Sequence, residues 1–378
     1  MSQPNILFLM TDQMQGRVLD ADHPCITPNF DKLAARGVRI TRAYTPNAVC
    51  SPARASLMTG RLPHSHGVLT VTHCVDPDQS VLRTGQAHWA QHLQRAGYRT
   101  GYFGKWHVHR GRDLTPFGWD VDCHEASDAY RARRQQVHVA RCRYWQWLVR
   151  CEIGGDRGYR SSMLYGAVDA PPEQRMVGIT SALASEFLDD AMKSDQPWCC
   201  FVSVIEPHDP FVCGHEAYKK YDVDAIELPD NFADELADKP GLYRKAARTF
   251  AHLSDQQKRE AMACYWAMVT EIDEQFGRLI DQLEASGQLD NTIIVLSSDH
   301  GELLGAHGLY MKNISAFEEV YHIPMLVAGP GAAAGATSEA RVGLHDVGPT
   351  LLDLAGAEPM DTEGQGRSFA SALADPRA

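Results

Sequence analysis

The sequence lacks several features that would place it in a special class of protein. No apolar run is long enough to span a membrane, and the residues before Asp12 include no basic side chain of the kind that opens a secretory leader. Positive charge is in deficit, because 36 Lys and Arg face 48 Asp and Glu and the formal net charge is −12. These absences argue against membrane insertion, a leader and nucleic-acid binding as the main task. We therefore expect a cytoplasmic protein.

Internal repeats, low-complexity tracts and heptad runs are also missing, and hydrophobic content of 44% is sufficient for a sizeable core. The ten cysteines occur without a leader, and this usage predicts reduced thiols instead of a disulfide framework. The adjacent Cys199 and Cys200 lie in an apolar stretch, WCCF. We interpret this pair as part of a buried strand and not as a metal clip.

Short apolar segments alternate along the chain with longer helical patterns. The predicted strands are 5–10, 38–44, 98–103, 198–205, 292–297 and 324–328. The predicted helices are 28–36, 87–96, 178–194 and 254–286, the last with Ser254 as N-cap and Gly287 as its end. This alternation predicts an α/β fold with a mostly parallel central sheet sandwiched by helices.

One long segment departs from this alternation. Residues 110–172 carry few strand signals and many Arg, Tyr and Trp, among them Tyr144, Trp145 and Trp147. We interpret the segment as a lid or specificity insertion, with a packed peripheral helix as the alternative. Its aromatic residues suit packing or a substrate wall better than nucleic acid. The domain prediction is a catalytic unit over 1–360 that contains this insertion, followed by a tail over 361–378.

Chemically active side chains follow four of the predicted strands. They are Asp12 and Gln13, then Lys105 and His107, then His208, and finally Asp299, His300 and Lys312. Because ligands bind outside the carboxyl ends of parallel strands, we expect this set to meet at one edge of the sheet. Its carboxylates, amide and one imidazole suit a divalent cation, while its lysines and other histidines suit a tetrahedral oxyanion. A metal beside a basic cluster is what cleavage of a sulfate or phosphate ester requires.

A further candidate lies in the stretch AVCSPARASLMTGR. Ser51 is predicted as a helix N-cap, Pro52 as the first helical residue and Gly60 as the stop. Cys50 then lies at the amino end of a helix, where the dipole favours anions, and Arg54 four residues on points to the same side. A buried structural cysteine with a surface arginine is the alternative from these residues alone.

CSPARASLMTGR resembles the signature of the type I sulfatases, a family of the alkaline phosphatase superfamily. The C-x-P-x-R and T-G-R elements of that signature correspond to Cys50, Pro52, Arg54, Thr59, Gly60 and Arg61. Further segments that resemble the family occur in family order, and they are NILFLMTDQ, GYFGKWH, EPHDPF, DNTIIVLSSDHGELLGAHGLYMK and YHIPMLVAGPG. The resemblance therefore extends through the whole chain and implies the sulfatase fold.

The resemblance implies a catalytic cysteine derivative. In the family, a formylglycine-generating enzyme oxidises the cysteine to an aldehyde, which would occur at Cys50. The aldehyde hydrates to a diol that binds the metal and attacks sulfur in line. The sulfate is released when the diol's second hydroxyl loses its proton, and Arg54 would hold the diol.

The resemblance also assigns roles to the basic residues. Lys105 and Lys312 would bind sulfate oxygens. His208 would protonate the leaving oxygen, and His107 would assist deprotonation of the diol. His66 either lines the pocket or makes a local structural hydrogen bond, and we expect His307 and Tyr310 to be loop structure.

The sequence departs from the family pattern at two metal positions and at its end. Many members have a second acid where Gln13 stands and an asparagine where His300 stands. The family implies Ca²⁺, and the softer ligand set leaves Mn²⁺ as an alternative. This ligand set resembles choline sulfatases and phosphonate monoester hydrolases. We expect the family's small C-terminal sheet domain to be short or absent, with 361–378 as the start of a truncated or missing subdomain.

We therefore predict a sulfatase that hydrolyses a small anionic ester with formylglycine and one divalent cation. A phosphonate monoester or phosphodiester hydrolase with the same site is one alternative. A non-catalytic binding protein of the same fold is another. A homo-oligomer is compatible with the sequence, which does not name the alcohol portion of the substrate.

Overall fold

The computed structural model describes residues 3–83, 85, 87–137, 146–154, 161–312 and 316–377. The strands of these residues, β1 to β11, are Asn5–Thr11, Gly37–Tyr44, Arg99–Gly104, Val121–His124, Trp147–Ile153, Ser162–Val168, Trp198–Ser203, Phe211–Gly214, Thr292–Ser298, Met325–Ala328 and Ala336–Gly343. The α-helices, α1 to α12, are Pro28–Ala34, Cys50–Thr59, Pro63–His66, Trp89–Arg95, Asp128–Gln136, Met176–Ala191, His215–Tyr218, Gly241–Ala247, Asp255–Ala285, Glu318–Tyr321, Val347–Leu354 and Ala370–Ala374. Tyr144 and Trp145 lie outside the described residues.

Eight strands form the central sheet in the order β11-β2-β10-β9-β1-β7-β3-β4. The strands from β9 to β4 are parallel to their neighbours, whereas β10 runs antiparallel to both β9 and β2. A second sheet has the order β5-β6-β8. The predicted fold class, a mostly parallel sheet sandwiched by helices, is confirmed.

Strand β1 shows that helices cover both faces of the central sheet. All seven of its residues are buried, as the continuous apolar run predicts. Leu7 and Leu9 lie in a core with side chains of α1, α6 and α9. Ile6, Phe8 and Met10 point to the opposite face, into a core with α2, α4 and α11.

Helix α9 is the longest helix of the described residues, and its ends follow the predicted signals. The Ser254 hydroxyl accepts a hydrogen bond from the Gln257 amide at 3.2 Å, while the Gln257 side chain accepts one from the Ser254 amide at 2.9 Å. This reciprocal pair is a capping box. Gly287 follows the helix with a φ of 74°, a conformation that glycine adopts without steric cost.

The segment 110–172 corrects our expectation of few strands. It contains β4, which extends the central sheet, and β5 and β6, which form two thirds of the second sheet. Helix α5 packs against α6 and β4. The strand signals were weak because alternating charged residues such as Arg150 and Glu152 occupy the exposed face of β5. The role of the segment as a lid stays a prediction.

The described part of the tail packs onto the larger unit. Phe369 and Leu373 lie in the same apolar core as Phe8. Nine cysteines of the described residues are free thiols, and Cys199 and Cys200 are fully buried in β7, as predicted. Within these residues, no helix has the length and apolar character needed to cross a membrane.

Candidate active site

The carboxyl ends of four parallel strands create the site. Register places Thr11 of β1 opposite Ser298 of β9, and Ser203 of β7 opposite both Met10 and Gly104. The residues that follow these strands therefore emerge at one edge, as predicted. The amino end of α2 lies at the same edge and supplies Cys50.

The local prediction for α2 was partly wrong. The helix begins at Cys50, with Val49 as N-cap and no capping side chain, instead of at Pro52 with Ser51 as cap. The Ser51 hydroxyl accepts a hydrogen bond from the Thr72 amide at 3.3 Å, because the next loop folds over the helix start and occupies it. Gly60 ends the helix at φ 64°, as expected.

The Cys50 thiol is 2% exposed and faces both acidic and basic groups. Its Sγ lies 3.2 Å from His300 Nε2 and 3.7 Å from Asp12 Oδ1. Burial alone would raise the pKa of Cys50, but His300 and Lys105 outweigh burial and hold that pKa well below its ordinary value. The site therefore stabilises negative charge at position 50.

Four buried residues form a group that suits a metal ion. Ligand atoms of Asp12, Cys50, Asp299 and His300 all lie within 4.8 Å of one another. His300 Nδ1 donates a hydrogen bond to the Gly301 carbonyl at 2.9 Å, so Nε2 is the ring nitrogen that faces this group of ligands. The two carboxylates and the imidazole fit a divalent cation.

Arg54 ties this group together. Its Nε donates to Asp299 Oδ2 at 2.7 Å, and its outer nitrogens lie 3.5 Å from Asp12 Oδ2 and 2.7 Å from Ser203 Oγ. The guanidinium is 1% exposed. Since an unpaired buried charge is costly, Arg54 and the carboxylates depend on each other. The alternative of a surface arginine is excluded.

Two lysines and a histidine provide the basic side of the site. Lys105 Nζ donates to Asp12 Oδ2, and Lys312 Nζ lies 2.7 Å from His208 Nε2. Burial and Cys50 raise the pKa of Asp12, but Lys105 and other cations outweigh them and lower it to about 2. Asp12 is therefore a carboxylate throughout the physiological pH range.

Gln13 lies at the junction of the acidic and basic halves. Its backbone has a φ of 73°, a strained value for a non-glycine residue, and its amide N–H donates to Asp299 Oδ1 at 3.1 Å. Its side-chain nitrogen donates to Asp209 at 3.0 Å and to Glu302 at 2.6 Å, and its oxygen accepts from Lys312 at 3.0 Å. Its role as a metal ligand stays a prediction.

Three further histidines that the sequence singled out, His66, His107 and His307, have different surroundings. His66 Nε2 lies 2.9 Å from Ser56 Oγ, and its Nδ1 accepts from the Val68 amide at 3.1 Å, so the local structural interpretation holds. His307 lies 2.7 Å from Asp234 and is loop structure, as expected. His107 instead contacts a second imidazole, with its Nε2 2.9 Å from His73 Nδ1.

Sequence reasoning missed three site neighbours, Asp209, Glu302 and His73. Glu302 accepts from the amides of Leu304 and Met311 at 2.8 and 2.5 Å and so closes the loop that carries Lys312. Burial raises the pKa of Glu302 to about 7. Asp209 and Glu302 stand inside the motifs EPHDP and DHGE, so their positions were a usable signal, whereas nothing in the sequence pointed to His73.

The sulfatase family profile matches residues 4–357. This chain belongs to the sulfatase family. It is 30% identical to the choline-sulfatase of Rhizobium meliloti, over 94% of this chain and 68% of that protein. It is 29% identical to the N-acetylglucosamine-6-O-sulfatase of Bacteroides thetaiotaomicron, over 96% of this chain and 70% of that protein. The sulfatase chain thus spans about two thirds of the length of these relatives and is a hydrolase of sulfate esters.

Solved structures agree with this family. The phosphonate monoester hydrolase of Silicibacter pomeroyi superposes with a TM-score of 0.81 at 25% identity, over 100% of this chain and 78% of that chain. A sulfatase and a phosphonate hydrolase therefore share this backbone.

Proposed function

We propose that the chain hydrolyses a sulfate monoester of a small alcohol at Cys50, after oxidation of this cysteine to formylglycine. The observation that carries the proposal is the position of Cys50, at a helix start, within 4.8 Å of the ligand atoms of Asp12, Asp299 and His300. A purely structural cysteine would not require buried charged side chains around it. A formylglycine-generating enzyme is the maturation partner that this chemistry requires.

A divalent cation held by Asp12, Asp299 and His300 would supply Lewis acidity at position 50. Ca²⁺ follows from the family, and Mn²⁺ is the alternative that the imidazole favours. The chain itself holds the carboxylates in place through Arg54. That arrangement costs no reorganisation during the reaction.

The basic side of the site would bind and activate the ester. Lys105 and Lys312 would hold sulfate oxygens, which carry the charge of the transferred group. His208 would protonate the leaving alcohol. Although burial opposes protonation, Asp12 outweighs it and raises the pKa of His208 to about 9.

Lys312 lies next to this acid. Its Nζ is 2.7 Å from His208 Nε2, and its positive charge partly offsets the rise in the pKa of His208. A sulfate bound by Lys312 would screen that charge, so His208 would hold its proton more firmly until the leaving oxygen takes it.

Replacing His208 with alanine should slow the enzyme in a way that depends on the leaving group. We expect the rate for an alkyl sulfate to fall by about 10²–10⁴-fold, because its alkoxide must be protonated as the bond breaks. The rate for a nitrophenyl sulfate should fall much less. The measurement is kcat for both substrates, with exposed His252→Ala as the control. Equal slowing of both substrates would exclude His208 as the acid.

Phosphonate monoester or phosphodiester hydrolysis is the second candidate, because the structure superposes on a phosphonate monoester hydrolase at a TM-score of 0.81. A non-catalytic binding protein would keep the fold but leave Cys50 as a thiol. The free cysteines are compatible with the cytoplasmic location expected above, which stays a prediction.

Parallel assays of one matured preparation would test the proposed function. We expect kcat/KM to be higher for an aryl sulfate than for phenyl phosphonate esters, and activity to be lost with a chelator and restored by Ca²⁺ or Mn²⁺. A higher kcat/KM for the phosphonate would favour the second candidate. No turnover by protein whose Cys50 peptide is fully oxidised would contradict both enzymatic candidates.

A further inference from the structure

An imidazole pair lies beside the proposed site and has no assigned role. His107 Nε2 is 2.9 Å from His73 Nδ1, and the two rings lie within 24° of parallel at a centroid distance of 4.9 Å. His107 follows β3 with a φ of 56°, so its backbone is held in a conformation that costs energy for a non-glycine residue. A strained residue that meets a second imidazole indicates a constrained geometry.

The two nitrogens of His107 have different surroundings. Nε2 meets His73, whereas Nδ1 is buried and has no hydrogen-bond partner among the described residues. The His107 ring is also one of the groups that act on Cys50, since it contributes to the lowered pKa of that thiol. A buried nitrogen without a partner is available to a group that enters the site.

The loop that carries His73 is tethered at both of its sides. Ser51 of α2 accepts from the Thr72 amide at 3.3 Å. The Arg110 guanidinium donates to the carbonyls of Thr72 at 2.9 Å, Val75 at 3.0 Å and Asp76 at 2.9 Å. The His73 side chain is exposed, yet hydrogen bonds to Ser51 of α2 and to Arg110 hold the backbone of its loop in place.

A neutral imidazole has one N–H donor and one acceptor nitrogen, and a hydrogen-bond partner decides which is which. If His107 Nε2–H donates to His73 Nδ1, then His107 Nδ1 keeps its lone pair and can accept a proton. Both rings then carry their proton on Nε2. The reverse arrangement would place a proton on the nitrogen that must act as a base.

We propose that His73 is a positioning residue that holds His107 in the Nε2–H tautomer, with Nδ1 as the acceptor toward position 50. The proposal deepens the proposed function, because it rests on His107 as the group that deprotonates the diol. His73 itself contacts neither the substrate nor the reacting atoms in this role.

The tautomer can be measured without turnover. Long-range ¹H–¹⁵N spectra of the imidazole nitrogens would be recorded on the protein with unoxidised Cys50 and no metal, with His107→Gln to assign the signals. We expect His107 to show a protonated Nε2, and His73→Ala to convert it into a mixture of tautomers. His73→Asn should preserve the tautomer because its carbonyl oxygen can accept the same hydrogen bond. The exposed His64→Ala is the matched control. An unchanged His107 tautomer in His73→Ala would overturn the proposal.

Kinetics of the matured enzyme supply the second readout. We expect His73→Ala to lower kcat by about tenfold or more with little change in KM, and His73→Asn to recover most of the loss. A rise in KM at constant kcat would assign His73 to the substrate wall and overturn the positioning role. If the wild-type protein turned over no sulfate ester, the proposed function would fail while the tautomer measurement would still decide the pair.

Discussion

Replacing Cys50 with alanine is expected to abolish sulfate ester hydrolysis, with kcat/KM reduced by at least about 10³-fold. Alanine carries no atom that can be oxidised to an aldehyde or attack sulfur. The fold should remain, because the change removes one atom from the buried start of α2. The measurements are kcat/KM for an aryl sulfate and the melting temperature of both proteins.

Cys25→Ala is the matched control for this variant. Cys25 is also buried, but burial raises its pKa to about 12, so it is an inert thiol away from the site. This variant should keep its activity. Mass spectrometry of the peptide AYTPNAVCSPAR should show that wild-type Cys50 has exchanged sulfur and two hydrogens for one oxygen. Activity in a preparation with an intact Cys50 thiol would contradict the mechanism.

Cys50→Ser distinguishes attack from release. A serine hydroxyl can attack sulfur, but it has no second hydroxyl whose deprotonation would expel the sulfate. We expect one equivalent of alcohol product or less per protein, followed by arrest. Continued turnover by Cys50→Ser without oxidation of the serine would show that release does not require the diol.

Replacing Asp299 with alanine is expected to destabilise the metal-free protein by about 3–5 kcal/mol, because it leaves the buried Arg54 guanidinium without its closest charged partner. Asp299 also accepts backbone hydrogen bonds from Gln13 at 3.1 Å and from His300 at 3.0 Å. Activity should be lost together with stability, since the same carboxylate belongs to the candidate cation group. The measurement is the free energy of unfolding in urea.

Asp290→Ala provides the control for this effect. Asp290 pairs with Arg36 at 2.5 Å, but its side chain is 91% exposed. Because solvent screens exposed pairs, this variant should keep nearly the full free energy of unfolding. If Asp299→Ala did not fold, Asp299→Asn would retain the shape of the side chain and permit the comparison. Equal stability of the Asp299 and Asp290 variants would show that the buried pair does not tie the site together.

The phosphonate question depends on the same group of residues. A sulfate monoester and a phosphonate monoester carry the same charge at neutral pH, so the positive charge of the shared lysines does not decide between them. Gln13 is the position where a family acid is replaced by a neutral side chain. The assay that compares both esters therefore probes the combined effect of this replacement and of the bound ion.

Much of the fold was predictable because its signals are local. The continuous apolar run of β1 reports burial on both faces, and Ser254, Gln257 and Gly287 mark the ends of α9 through hydrogen bonds and backbone conformation close in sequence. The start of α2 was misplaced for the opposite reason. Ser51 is occupied by Thr72 from a loop twenty-one residues further along, and no local rule includes that contact.

By itself, the sequence determined which chemical groups this protein places at strand ends, and the Cys-x-Pro-x-Arg spacing that puts Arg54 one turn from Cys50. Only the tertiary structure decided which of these groups meet. Parallel register brings the ends of β1 and β9 together. The Gln13 amide donates to Asp299 although the two residues are 286 positions apart in the chain. The loop that carries His73 packs onto His107, a contact that no motif predicts. Such contacts depend on the packing of whole helices and strands. The interactions that specify them are distributed over the core and are not local to either residue.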